Sequence, residues 1–191
     1  MESKLSKYKE KRHFDKTPEP EGRERSVEKR QIFVIQKHDA SNLHYDFRIE
    51  IDGVLKSWVI PKGPSLDPFI KRLAILTEDH PLEYADFEGI IPKDQYGGGI
   101  VIIWDKGNYE NIKKDNFSIT KSFERGRIEI NLKGKKLKGG FALIRIKGEN
   151  GKQWLLIKMN DNQADRENDI LKQEKSIISN KTIEQISKEK N

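Results

Sequence analysis

The stretch Gln36-Lys37-His38-Asp39-Ala40-Ser41-Asn42-Leu43-His44-Tyr45-Asp46-Phe47-Arg48-Ile49-Glu50-Ile51 alternates strictly from Leu43 onward. Successive side chains on a strand point to opposite faces. Leu43, Tyr45, Phe47, Ile49 and Ile51 therefore share one face, and His44, Asp46, Arg48 and Glu50 share the other. The first face belongs against a core. The second lines up an imidazole, a carboxylate and a guanidinium, with neighbours roughly 6–7 Å apart. Asp52-Gly53 follows at once. Both residues tolerate the positive φ of a type I′ turn, so Val54–Ile60 reads as the returning strand of a hairpin.

Outward from that hairpin the same grammar repeats. Ile32–Lys37, Arg72–Glu78, Ile100–Trp104, Ile119–Phe123, Arg127–Leu132, Phe141–Ile146 and Gln153–Lys158 are short runs of β-branched, aliphatic and aromatic residues broken by Gly, Pro, Asn and Asp. Glu149-Asn150-Gly151-Lys152 marks another tight turn, and no long amphipathic helix intervenes. The pattern predicts a mainly β fold, a small closed or nearly closed β-barrel with short flanking helices and an N-terminal arm. Three regions follow: a basic arm over 1–30, a barrel domain over 31–160, and a polar C-terminal segment over 161–191. The first dozen residues suit a short helix, after which Thr17-Pro18-Glu19-Pro20-Glu21-Gly22 forces an extended or turning path. Basic residues continue along the arm to Arg23, Arg25, Lys29 and Arg30. Thr182-Ile183-Glu184-Gln185 has the spacing of a capping box and predicts a short closing helix.

The 191 residues contain no cysteine, which excludes disulfides, zinc fingers and thiol chemistry. A balance of 37 Lys and Arg against 31 Asp and Glu, net +6, fits a polyanionic partner without identifying one. No apolar run approaches the roughly 18 residues of a membrane span, and Met1–Phe14 is charged rather than signal-like. The expected setting is cytoplasmic, with no membrane association.

Any metal must be held by His, Asp, Glu or backbone oxygen, and there are four histidines. His44 and Asp46 could share one ion, His38 could fold back as a third ligand, and Arg48 could reach a bound anion. Two imidazoles and a carboxylate with open positions suit Mn²⁺, Fe²⁺ or Zn²⁺. Alternation always yields a polar face, however, so a simple solvated row remains open on spacing alone. Lys62, in the rigid Pro61-Lys62-Gly63-Pro64 turn, and His80, in the polar cluster Thr77-Glu78-Asp79-His80-Pro81, read individually as a surface charge and a loop histidine.

Together, His38–Glu50, Trp58–Ser65, Glu78–Tyr84 and Tyr96-Gly97-Gly98-Gly99 closely resemble the 3′-phosphoesterase module of bacterial DNA ligase D. Lys11-Arg12 and Thr17-Pro18-Glu19-Pro20 match as well, which implies that the arm joins the site. The resemblance implies a Mn²⁺-dependent barrel (other divalent transition metals being compatible), with His38, His44 and Asp46 as metal ligands. It implies that Arg48, His80 and Tyr84 hold the scissile phosphate, and that Lys62 and Arg72 are further basic residues for phosphate removal. Arg12, Glu19, Gln36 and Glu78 fall at accessory positions, some linked to removing a 3′ ribonucleoside. The implied activity is release of a 3′-terminal ribonucleoside, then hydrolysis of the 3′-phosphate to a 3′-OH. Where an acidic residue is expected after Arg12 this chain has His13, which puts the first of those steps in doubt. His80 could act either as a proton donor to the leaving oxygen or as a hydrogen-bonding partner of the phosphate.

The implied partners are nucleic acid 3′ ends and a separate ligase, polymerase or end-binding repair protein. Nucleic acid contact is expected from the arm, while Lys133-Gly134-Lys135-Lys136-Leu137-Lys138 reads equally well as a phosphate-binding run or a solvated turn. Two rival readings stay open: a non-catalytic nucleic-acid-binding barrel acting as a repair adaptor, and a metal-dependent phosphatase for small molecules.

Overall fold

A computed structural model describes residues 3–22, 31–113, 117–146 and 149–189. Nine strands run β1 (Ile32–Asp39), β2 (Leu43–Ile51), β3 (Val54–Ile60), β4 (Lys71–Leu76), β5 (Gly89–Ile91), β6 (Gly99–Asn111), β7 (Arg127–Gly134), β8 (Lys138–Arg145) and β9 (Gln153–Lys158). They form one antiparallel sheet in the order β1-β2-β3-β4-β9-β8-β7-β6-β5, and pairing of β1 with β6 closes eight of them into a barrel. Closure leaves those eight strands no free edge, and β5 lies as an extra strand against the start of β6. The β2–β3 turn is as the sequence demands, with Asp52 at φ 53 and Gly53 at φ 82.

Two apolar layers sandwich the wall formed by β1, β2 and β6. Inside, Phe33, Phe47, Ile49, Trp58, Trp104, Phe141 and Trp154 fill the barrel. Outside, Val34, Leu55, Val101 and Ile103 meet Tyr8 of helix α1 (Ser6–Glu10) and Tyr84, Ala85 and Phe87 of a 3-10 turn spanning Leu82–Asp86 and its exit. Burying aromatic side chains of this size stabilises by roughly 1.5–3 kcal/mol each. The arm is therefore held by packing, and the Tyr8 hydroxyl donates to the Pro20 carbonyl at 2.6 Å. Arg23, Arg25, Lys29 and Arg30, counted with the basic arm, lie outside the described residues.

Several elements differ from the sequence reading. Ile119–Phe123, expected as a strand, is the start of helix α2 (Ile119–Glu124). Its β-branched residues favoured a strand, but Ser118 caps the helix by accepting from the Lys121 amide at 3.2 Å. Ile119 and Phe123, four apart, then present one face to the core, with Phe123 stacked on Trp154 at 5.7 Å. β4 stops at Leu76 instead of Glu78, β5 was not foreseen, and β6 runs through Asp105-Lys106-Gly107-Asn108, polar residues that looked like a loop. Asp105 is fully buried and accepts from the Lys135, Lys136 and Leu137 amides, which ties β6 to the β7–β8 turn.

The C-terminal segment is strapped to the barrel. Ile170 enters the interior core, the Trp104 indole donates to the Gln173 carbonyl, and Ser176 donates to Glu88. Helix α3 (Ile183–Lys188) carries the reciprocal Thr182–Gln185 capping box. No helix among the described residues is long and apolar enough to cross a membrane.

Candidate metal centre and cleft

The β1–β2 register decides the centre. His38 lies directly opposite His44, and Gln36 opposite Asp46, so alternation puts all four on the outer face of the wall. That face is covered by the arm and the 3-10 turn, so Gln36, His38, Asp46 and Arg48 are buried rather than solvated. The imidazoles of His38 and His44 lie 4.8 Å apart between centroids. One ring nitrogen of each approaches the Asp46 carboxylate, His38 Nδ1 at 3.6 Å and His44 Nε2 at 3.8 Å. The three ligand atoms all lie within 4.8 Å of one another.

The opposite ring nitrogens are held by backbone carbonyls. His38 Nε2 lies 2.8 Å from the Gly97 carbonyl, and His44 Nδ1 lies 2.8 Å from the Asn42 carbonyl. A carbonyl only accepts, so each of these nitrogens carries a proton, which frees the nitrogen facing Asp46 to offer its lone pair to a cation. Backbone carbonyls that fix the distal N–H are the usual support of metal-binding histidines. The donor set thus fits a divalent transition metal. Burial pushes the Asp46 carboxyl up, but the Arg48 guanidinium and then the two imidazoles outweigh it and hold it at about 2. It is an anion at any physiological pH.

Arg48 links this centre to a second group. Its Nε donates to Gln36 at 2.8 Å, its Nη2 donates to Asp46 at 3.0 Å, and its Nη1 reaches His80 Nδ1 at 3.0 Å. Gln36 in turn donates to the carbonyls of Tyr84 and Phe87. Arg12 of the arm approaches the other side of His80, Nη2 to Nε2 at 3.3 Å, and donates to Glu19 at 2.9 Å and Glu78 at 3.4 Å. Glu19, buried, also accepts from the Tyr84 hydroxyl at 2.9 Å and from Thr17 at 2.9 Å.

Burial, Arg48 and Arg12 hold the His80 pKa well below the ordinary 6.5, so its ring is neutral. A neutral imidazole has one lone pair, yet guanidinium donors face both of its nitrogens. One of those N–H groups therefore finds no acceptor on the ring, which leaves hydrogen-bonding capacity for an incoming anion.

The neutral state of His80 also predicts a pH dependence. The unfolded chain takes up a proton at this residue near 6.5, whereas the folded chain refuses it. Its contribution to stability is complete above 6.5 and is lost as pH falls from there toward the lower folded value. The Tm advantage of the wild type over His80→Gln should shrink between pH 7.5 and pH 5. An advantage that stays constant or grows would contradict the neutral assignment.

These side chains line one cleft of about 310 Å³, with Arg12, Glu19, His38, His44, Asp46, Arg48, Glu78, His80 and Tyr84 all on its wall. Gln36 stands behind it, supporting Arg48. Lys62 and Arg72 do not line it. Lys62 is exposed in the turn after β3, and pairing of Arg72 with the core residue Leu156 gives Arg72 the interior-facing parity, opposite to Asp46. His13 is exposed and likewise outside the lining. In the basic run, Lys133 pairs with Glu110, Lys135 donates to the Ile177 carbonyl, and Lys136 donates to the Gln173 and Lys175 carbonyls. Those three ammonium groups are engaged by the protein.

The sequence reading missed the carbonyls of Gly97 and Asn42, the Ser57 hydroxyl at 3.3 Å from His80, and Tyr96, which lines the cleft. Backbone groups leave no residue-type signal. The glycines after Tyr96 were the only hint.

The family model described as DNA Ligase D 3'-phosphoesterase domain matches residues 36–145. The chain is 45% identical to the multifunctional non-homologous end joining protein LigD of Pseudomonas aeruginosa over 186 residues, 94% of this chain and 22% of that protein. It is 45% identical over 164 residues to the LigD of Mycobacterium tuberculosis, named a multifunctional non-homologous end joining DNA repair protein, covering 85% of this chain and 20% of that one. The LigD of Mycolicibacterium smegmatis is 42% identical over 172 residues, 87% of this chain. The chain spans about a fifth of the length of these relatives.

Proposed function

The chain belongs to the DNA ligase D 3′-phosphoesterase domain family, and from that premise we propose that it trims nucleic acid 3′ ends in DNA repair as a divalent-metal phosphoesterase. The proposed reaction releases a 3′-terminal ribonucleoside and then hydrolyses the 3′-phosphate, leaving a 3′-OH that a separate polymerase or ligase can use. The carrying observation is the convergence of one ring nitrogen from each of His38 and His44 on the Asp46 carboxylate, with each distal nitrogen held by a backbone carbonyl, beside two buried guanidiniums.

His38, His44 and Asp46 would hold the metal, with Mn²⁺ as the proposed ion, and it would supply Lewis acidity toward a phosphate oxygen and a lowered pKa for water. Arg48 and Arg12 place fixed positive charge where the phosphoryl group enters, with stronger effect because the cleft is shielded from water. Neutral His80 is suited to hydrogen-bonding the phosphate, and this reading favours that role over donation of a resident proton. The Tyr84 hydroxyl, whose pKa burial raises well above 10, stays protonated. Its bond to Glu19, together with the Arg12–Glu19 pair, ties the arm to the cleft. The proposal for the first step keeps Arg12, Glu19, Gln36 and Glu78 as positioning residues, and it does not depend on Lys62 or Arg72.

The test incubates the protein with Mn²⁺ and oligonucleotides ending in 3′-OH, 3′-phosphate or a single ribonucleotide. Conversion of the second and third to 3′-OH, with the first untouched, is expected. Binding without turnover would favour a non-catalytic adaptor, and equal turnover of small phosphate monoesters would favour a general phosphatase.

A further inference from the structure

The cleft holds one aromatic side chain that the proposed chemistry does not use. Tyr96 lines it and is 49% exposed, whereas Tyr84, the other aromatic phenol on its wall, is buried with its hydroxyl committed to Glu19. Phe69 is also exposed, but it lies outside the cleft. Backbone turns carry Tyr96. The Gln95 amide bonds to the Pro92 carbonyl and the Gly98 amide to the Gln95 carbonyl, both at 3.0 Å, so the ring stands on a double turn. Gly97 takes the left-handed φ of +72 that ends this turn and aims its carbonyl at His38. The same turn therefore fixes both a candidate metal ligand and the ring beside it. From the arm, Lys11 donates to the Tyr96 hydroxyl at 3.2 Å, and its ammonium lies 4.7 Å from the ring centroid.

A half-exposed aromatic ring beside the cleft cations, with the Arg12 guanidinium 5.5 Å from its centroid, is what a nucleobase stacks on, since every base has a π face and stacking tolerates any sequence. We propose that Tyr96 is the platform for the base of the 3′-terminal nucleoside, so that it positions the end whose nucleoside is released. This inference rests on the functional reading above and adds the group that the cleft grips beyond the phosphate.

Two readouts test it. An oligonucleotide ending in a 2-aminopurine ribonucleoside is titrated with protein in EDTA, so that binding is read without bond cleavage. Its fluorescence should fall with the wild type and with Tyr96→Phe, and the fall should be lost with Tyr96→Leu. With Mn²⁺, Tyr96→Leu should lower kcat/KM on a ribonucleoside end by roughly five- to hundredfold. Removing the base from the substrate should cost the wild type a similar factor, and the two losses should not add. Unchanged quenching by Tyr96→Leu overturns the proposal. So does an equal loss on base-containing and abasic ends, because a displaced His38 would produce that result. Wild-type quenching with no product in Mn²⁺ would instead sink the functional reading and leave the platform standing.

Discussion

His44→Ala is expected to lower kcat/KM on 3′-phosphate and 3′-ribonucleoside ends alike by at least about a thousandfold, because a Lewis-acid metal supplies several kcal/mol of transition-state stabilisation and each ~1.4 kcal/mol is tenfold. Asp46→Ala should do the same. The two variants differ in their side effects. Among the described residues the His44 ring is hydrogen-bonded to the Asn42 carbonyl and otherwise meets the other two candidate ligands, and it is the least buried of the three, so its removal should leave the fold intact. Removing Asp46 also strips a buried partner from Arg48, so a fall in Tm is expected alongside the loss of activity. Turnover within tenfold of wild type for His44→Ala, in a protein with unchanged Tm, would contradict the metal assignment.

Glu19→Ala should produce the largest loss of stability among the cleft substitutions. Glu19 accepts from Arg12, Thr17 and Tyr84, and both it and the Arg12 side chain are almost wholly buried. Breaking such a pair from one side leaves the buried Arg12 charge with the longer Glu78 contact at 3.4 Å, so the cost falls toward the lower end of the ~3–5 kcal/mol expected for a buried charge that loses its partner. For a chain of this size about 1 kcal/mol moves Tm by ~2–4 °C, so a fall of at least roughly 6 °C is expected. Glu19→Gln, which keeps an acceptor for Tyr84, should lose less. The Arg12–Glu19 pair also fastens the arm, so the alanine variant should lose ribonucleoside release along with stability. A Tm within 2 °C of wild type, measured under identical salt, would contradict this account of the arm.

Much of this was written in the linear order of residues. The alternation of Leu43–Ile51 and the Asp52-Gly53 turn gave a hairpin with one apolar and one reactive face, and both survive intact. His38 could be offered only as a ligand that folds back before the strand, since its position opposite His44 depends on the β1–β2 register. The burial of the reactive face was also invisible. Alternation distinguishes two faces, but it cannot say that a second layer, Tyr8 from the arm and Tyr84 and Phe87 from the 3-10 turn, will cover the polar one. Ile119–Phe123 misled because β-branched residues outvoted a serine cap, a contest that local propensity decides poorly when a helix needs only six residues. The extension of β6 was hidden for a related reason: Asp105 looks like a loop residue until its amide partners in the β7–β8 turn are known. Arg72 shows the opposite limit. Its motif position points to the site, while strand parity turns it to the barrel interior.

The central claim is that His38, His44 and Asp46 close around one divalent cation, and anomalous diffraction from crystals grown with Mn²⁺ reads it without reference to activity. The account predicts a single strong manganese peak within bonding distance of His38 Nδ1, His44 Nε2 and an Asp46 carboxylate oxygen. A Mn²⁺-active protein whose peak lay elsewhere, or whose three side chains contacted no metal, would contradict it.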